Sequence, residues 1–145
     1  MSVTVATTDK STIRNKFKNL NLINSHAIVF SARKGLKPKI FYDFAEAIKM
    51  PEKILAGIIN LSSRTISNYK EQQKLLEPVH SEHLLKLISL FEKGENIFGN
   101  IDEFNYWLRK PFWNSQQTPL DWISTPGGVD LLMEELDKLA QGYPV

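Results

Sequence analysis

Residues 52–71 read EKILAGIINLSSRTISNYKE, and nearly every position answers a demand of a helix-turn-helix. Two short helices crossing steeply need apolar residues facing inward from the first, with small residues near the crossing. Leu55, Ala56 and Ile59 meet that need, and Gly57 stands beside them. The turn needs a residue tolerant of positive φ, followed by an apolar anchor. Asn60 is the most permissive choice after glycine, and Leu61 is the anchor. A second helix capped by Ser62 or Ser63 then buries Ile66 and Tyr69. This arrangement puts Ser63, Arg64, Thr65, Ser67 and Asn68 on the exposed face at its start, with Lys70 and Lys74 further along. Such a face suits a recognition helix. Arginine contacts guanine and asparagine contacts adenine in bidentate fashion, while Ser, Thr and Lys reach phosphates. The other reading of the same residues is a helical hairpin packed in a core with a polar outer face.

Outward from this stretch, apolar spacing keeps a period near 3.6 residues and no segment sustains strand alternation, so the expected fold class is all-α. A short helix is expected over 12–17. A second, capped by Asn24 or Ser25, runs to Lys34 and stops at Gly35. Pro38 introduces a third, with Ile40, Phe41, Phe44, Ala45 and Ile48 on one face, and Pro51 opens the fourth. A sixth helix is expected to be capped by Ser81, to bury Leu84, Leu85, Leu87, Ile88 and Phe91, and to end near Gly94. The seventh occupies 100–108, stopped by Pro111. A turn at 120–123 and a last helix over 129–139, introduced by Pro126-Gly127-Gly128, complete the chain. These elements carry too few apolar residues for independent domains, so a shared core is expected. The organisation is a leader over 1–10, a helical DNA-binding region over 11–94 and a C-terminal domain over 95–145.

Charge is unevenly spread. Residues 1–40 hold eight basic side chains and one acid, a balance of +7. Residues 81–145 hold five basic and ten acidic groups, a balance of −5. A basic front and an acidic back point to different partners, a polyanion at one end and a protein at the other. The plain alternative is solvated charge scattered without consequence.

Several chemistries fall away. The chain has no cysteine, which removes disulfides, thiolate metal sites and thiol nucleophiles and fits a cytoplasmic protein. No apolar run approaches the roughly 18 residues of a membrane span, and the first residues lack the basic and apolar regions of a secretion signal. His80 and His83 flank Glu82 without further ligands, and Gly127-Gly128 lacks the continuation of a phosphate loop. Neither a metal, a cofactor nor enzyme activity is expected.

The later part of the chain carries a more specific pattern: Ser81-Glu82-His83-Leu84, Phe98-Gly99, Trp107-Leu108, Pro111, Thr118-Pro119-Leu120-Asp121, Thr125 and Gly128-Val129, then Leu136 and Gly142. In this order, after Leu61-Ser62-Ser63-Arg64-Thr65-Ile66, it resembles the Xre/ParS-type antitoxins, which include the MbcA-like antitoxins. The resemblance implies an Xre-like helix-turn-helix bundle followed by a small helical toxin-binding domain. It implies a cognate toxin, typically a RES-domain enzyme that consumes NAD, whose active site the C-terminal region covers. It also implies homodimers that repress their own operon by binding operator DNA. Carried onto this chain, the toxin-contact residues are Trp107, Pro119, Leu120 and Thr125, with the tail Gly142, Tyr143, Pro144 and Val145. Trp113 joins them as the aromatic expected to be most exposed. Residues 112–117 depart from the family, which places small residues there. The competing functions are a stand-alone transcriptional regulator, whose C-terminal region dimerises or senses a ligand, and an interaction module without DNA binding.

Overall fold

The computed structural model describes residues 12–142, and within them the chain forms nine α-helices and no strand. They are α1 (Thr12–Lys16), α2 (Ser25–Lys34), α3 (Pro38–Ala47), α4 (Glu52–Ile58), α5 (Ser63–Glu71), α6 (Pro78–Phe98), α7 (Ile101–Leu108), α8 (Pro119–Trp122) and α9 (Pro126–Ala140). The expected leader over 1–10 and the tail residues Tyr143, Pro144 and Val145 lie outside the described residues. No described helix is long and apolar enough to cross a membrane.

The long helix α6 is the hub, with α1, α2, α7 and α9 packed directly on it. Leu84, Leu85, Leu87, Ile88, Leu90 and Phe91 are buried, so it is apolar on more than one side, as a helix surrounded by others must be. Through it runs a chain of edge-to-face rings. Phe17 meets Phe44 at 6.0 Å, Phe44 meets Phe91 at 5.4 Å and Phe91 meets Phe104 at 5.0 Å. Each such pair adds about 1 kcal/mol to the burial of its rings. The chain of rings joins α3, α6 and α7 into the shared core that the short apolar segments led one to expect. Position 94/95, the expected domain boundary, falls inside α6.

Three expected helix boundaries are corrected. α6 starts at Pro78 rather than after Ser81, because proline at the first helical position costs no hydrogen bond. Ser81 is buried instead of capping: its hydroxyl accepts from Leu36 N–H at 3.0 Å and donates to the Leu76 carbonyl at 3.1 Å. Nor does Gly94 end the helix. The Phe104 ring lies against it so closely that a Cβ would sit 2.5 Å from the ring. The true end is Gly99, whose φ of 98° suits glycine. Likewise α9 begins at Pro126, not Val129, with Thr125 as its cap and both glycines in its first turn. A Cβ on Gly128 would overlap the Trp122 carbonyl oxygen, so only glycine lets α8 turn into α9 here.

One buried acid holds the front of the chain in place. Glu95 on α6 accepts hydrogen bonds from Thr12 N–H and Ile13 N–H, both at 3.1 Å. Its two oxygens satisfy donors at the first turn of α1 that no intrahelical carbonyl can reach.

Candidate functional site

The α4–α5 pair has the expected helix-turn-helix geometry. Leu55, Ala56, Ile59 and Ile66 are buried, Leu61 and Tyr69 are half-buried, and α5 packs on both α3 and α4. Asn60 takes φ 65°, the left-handed conformation for which it was singled out. Gly57 lies on the exposed side, with nothing within 4 Å of where a Cβ would be, so the crossing does not depend on it. Between the two candidate caps the structure selects Ser62, whose hydroxyl accepts from Thr65 N–H at 3.0 Å.

The outer face of α5 differs from expectation at one position. Thr65 is half-buried and its hydroxyl lies 2.9 Å from that of Ser62, so it serves the cap and does not belong to the exposed set. Ser63, Arg64, Ser67, Asn68 and Lys70 are exposed. Counting 100° per residue from the buried Ile66, Arg64 and Asn68 point almost straight outward, with Ser67 beside them. Among the described residues, the side chains of Arg64 and Asn68 have no hydrogen-bond or ion-pair partner. Two polar groups one turn apart are thus held ready on a capped helix.

Lysines flank that face. Lys70 lies 5.0 Å from the centre of the Tyr42 ring and Lys74 lies 4.4 Å from that of Tyr69, so both stems are laid along aromatic surface. Burial, helped by the nearby Glu52 carboxylate, holds the Tyr42 hydroxyl above its ordinary range, and it remains neutral. Lys37 and Lys39 join Lys70 and Lys74 around a shallow groove of about 390 Å³ between the start of α3 and the end of α5. Lys39 is paired with Asp43 at 2.6 Å. The four lysines make the rim of the groove positively charged.

The C-terminal signature residues are placed less uniformly. Trp107 is half-buried, stacked on Phe104 at 5.9 Å and against Phe98 at 5.4 Å. Pro119 is buried and Leu120 half-buried. Thr118 and Asp121 form a capping box for α8, with Thr118 N–H donating to the Asp121 carboxylate at 2.9 Å. The Thr125 hydroxyl accepts from Gly128 N–H at 3.0 Å, and Gly142 is exposed just past the end of α9. Residues 112–117 form a closed turn. Phe112 N–H donates to the Gln117 carbonyl at 2.9 Å, and the Phe112 ring packs on Trp122 at 4.7 Å. That leaves Trp113 outside, 85% exposed as expected for a tryptophan in a loop. The sequence reading missed Tyr106, which is 63% exposed and carries Lys110 5.0 Å above its ring. The signal was present: Phe104 and Leu108 face inward on α7, so Tyr106 between them faces out.

No group of three or more potential metal ligands converges among the described residues, and His80 and His83 each meet a backbone carbonyl. They tie the two regions to α6. His80 Nδ1 is 2.8 Å from the carbonyl of Ile59, at the end of α4. His83 Nε2 is 2.8 Å from the carbonyl of Ile123, at the end of α8. Burial holds the His83 imidazole below its ordinary range, against the pull of that carbonyl, while His80 and Lys86 press the same way as burial. Neutral His83 then donates its Nε2 proton to the carbonyl.

Residues 28–89 match the antitoxin Xre-like helix-turn-helix domain. Residues 93–142 match the antitoxin Xre/MbcA/ParS C-terminal toxin-binding domain. No curated protein matches the chain.

Proposed function

Because the chain belongs to the Xre/ParS-type antitoxins, with the helix-turn-helix domain and the toxin-binding domain in order, we propose how each domain acts. Residues 11–94 bind operator DNA and residues 95–145 capture the toxin. The outer face of α5 enters the major groove. There Arg64 and Asn68 read base edges, Ser63 and Ser67 reach the backbone, and Lys70 with the neighbouring lysine groove holds phosphates. Arg64 and Asn68 carry this reading, exposed on the outer face of a capped helix without other partners.

The toxin is an NAD-consuming enzyme of the RES type, its active site covered by the surface around Trp113, Trp107, Leu120 and the chain end from Gly142. Trp113 is the anchor, since a solvent-exposed tryptophan on a closed turn loses little freedom on docking. Tyr106 and Lys110 extend the surface. The protein acts as a homodimer that represses its own operon in the cytoplasm.

Two assays test this. Arg64→Ala with Asn68→Ala should abolish the shift of upstream operator DNA while toxin protection persists. Trp113→Asp with Tyr106→Asp should do the reverse, leaving cells exposed to the product of the neighbouring gene. Both aromatics are exposed, so these replacements spare the core. NAD loss in cells expressing that product alone tests the RES assignment; unchanged NAD would overturn it. A variant pair that fails in neither assay would overturn the division of labour.

A further inference from the structure

Two loops cross beside the lysine groove. Residues 35–37 join α2 to α3, and residues 72–77 join α5 to α6. A Cβ on Gly35 would lie 2.8 Å from the Leu76 carbonyl oxygen, and Gly35 takes φ 84°, so both the close approach and the backbone call for glycine. At the crossing, Leu76 N–H donates to the Leu36 carbonyl at 2.8 Å. The return bond is not direct, and the Ser81 hydroxyl carries it. That hydroxyl accepts from Leu36 N–H at 3.0 Å and donates to the Leu76 carbonyl at 3.1 Å. The backbone groups of Leu36 and Leu76 and one side chain thus satisfy one another in a closed ring, and all three residues are buried. Without the hydroxyl, a buried N–H and a buried C=O would lose their partners together.

The groups that leave this ring are charged. Lys37 follows Leu36 directly, and Lys74 precedes Leu76 by two residues. Both stand on the rim of the groove with Lys39 and Lys70. Asp43 neutralises Lys39, which leaves Lys37, Lys70 and Lys74 as its cations, and no acid lines the groove among the described residues. Lys70 lies on α5 two residues beyond Asn68, and Lys74 N–H is tied back to the Tyr69 carbonyl of α5 at 2.8 Å. Lys37 reaches the same rim from the other loop, and the ring is the hydrogen-bonded tie between the loops.

We infer that Ser81 is a positioning residue for DNA: by closing the ring it keeps Lys37 and Lys74 on one rim, where both meet the phosphate backbone beside the outer face of α5. Lysines on a fixed rim lose less freedom on meeting phosphates, which adds affinity without sequence preference. The inference rests on the DNA-binding role proposed above and adds to it a buried side chain that touches no DNA.

The test titrates the full chain with the upstream operator duplex and with a scrambled duplex of the same length, over a range of salt. Lys37→Ala with Lys74→Ala should reduce the slope of log affinity against log salt by about two, at roughly 0.9 for each phosphate contact. Ser81→Ala should weaken both duplexes alike by about tenfold, the worth of one hydrogen bond, and reduce the slope by about one. In the chain that lacks both lysines, Ser81→Ala should weaken binding no further, although its cost in melting temperature should be the same in either background. An equal loss of binding in both backgrounds, or no loss in the parent, would overturn the inference.

Hydrogen exchange in the unaltered chain provides a check that needs no buried substitution and decides the matter if Ser81→Ala does not fold. Coupling is reciprocal, so saturating DNA should slow exchange at Leu36 and Leu76 N–H by about the same tenfold. In the chain lacking Lys37 and Lys74 that slowing should vanish. Exchange at the two amides that DNA leaves unchanged in the parent would also overturn the inference. A chain that binds neither duplex would sink the DNA-binding role as well, whereas one that binds operator and fails these tests would sink only the role of Ser81.

Discussion

The two ends of this protein present their surfaces by opposite means. In α4 and α5, the side chains that fold the motif and those proposed to read DNA are separate sets. Leu55, Ala56, Ile59 and Ile66 are buried, while Arg64, Ser67 and Asn68 contribute nothing to the core. Between Trp107 and Thr125 the same residues serve both ends. Trp107 stacks on Phe104, Pro119 is buried, Asp121 caps α8 and the Thr125 hydroxyl caps α9. Among the aromatic side chains there, Trp113 stands clear of that duty, as does Tyr106 just ahead of the stretch. A pattern of residues in the first region therefore describes a surface, and in the second it describes a fold on which a surface rides.

The sharpest consequence lies on the DNA side. If Arg64 and Asn68 read base edges as proposed, replacing both by Ala removes two bidentate contacts at about 1–3 kcal/mol each, so specific operator affinity should fall by about a hundredfold or more. The melting temperature should stay within a degree or two of the parent, because exposed substitutions of this kind change stability by about 0.5 kcal/mol or less. Differential scanning calorimetry beside a gel-shift titration decides it. A large loss of stability would mean that the two sets of residues are not separate.

On the toxin side the tryptophans should split. Trp107→Ala opens space beside Phe104 and Phe98 and should cost about 2–3 kcal/mol of stability. Trp113→Ala should leave the denaturation midpoint unchanged while weakening toxin capture by about 2 kcal/mol. Urea unfolding and a titration with purified toxin measure the two quantities. If Trp113→Ala destabilised the chain as much as Trp107→Ala does, no residue of the signature would be free of the fold.

How much of this was legible beforehand follows the same division. The helix-turn-helix could be read because its demands are local. A positive φ at residue 60, a cap at 62 and a buried side chain at 66 each depend on neighbours a few positions away. The misplaced boundaries of α6 and α9 depend on remote atoms instead. Gly94 looks like a stop until Phe104 is known to pack on it, and Gly127-Gly128 looks like a loop until the Trp122 carbonyl is known to crowd Gly128. Ser81 has the chemistry of a cap but spends it on Leu36 and Leu76. Proline at the first helical position, read correctly at Pro38, was the available signal for the two misplaced starts, at Pro78 and Pro126. Tyr106 was likewise within reach of helical periodicity.

A smaller effect probes the cap of the recognition helix. Ser62→Ala removes the acceptor for Thr65 N–H and the partner of the Thr65 hydroxyl, and should cost about 1 kcal/mol. Operator affinity should fall only to the extent that α5 frays, far less than in the Arg64 and Asn68 double variant. Hydrogen exchange at the first turn of α5 measures the fraying. An affinity loss equal to that of the double variant would place Ser62 among the contacts.

The smallest effect concerns acid, and it falls on the toxin side alone. Buried neutral His83 binds a proton less readily in the folded chain than in the unfolded one, whose imidazole titrates near about pH 6.5. Where the unfolded state binds more protons, stability rises with pH. The His83 contribution is therefore complete above the unfolded value and is lost as pH falls from there through the lower folded value. Protonation also turns the ring nitrogens into donors only, at a site where a buried cation has no carboxylate hydrogen-bonded to it. His83→Gln keeps a donor for the Ile123 carbonyl and removes the titration. Its melting temperature should be flatter over that window than that of the parent, and the difference should close above about pH 7. Because His83 holds the end of α8, fluorescence of Trp122 should report the acid loosening before exchange at Ile66 in α5 does. Equal acid slopes in the two proteins would remove His83 as the cause. Simultaneous loss at Trp122 and Ile66 would show instead that the shared core makes the two ends melt as one.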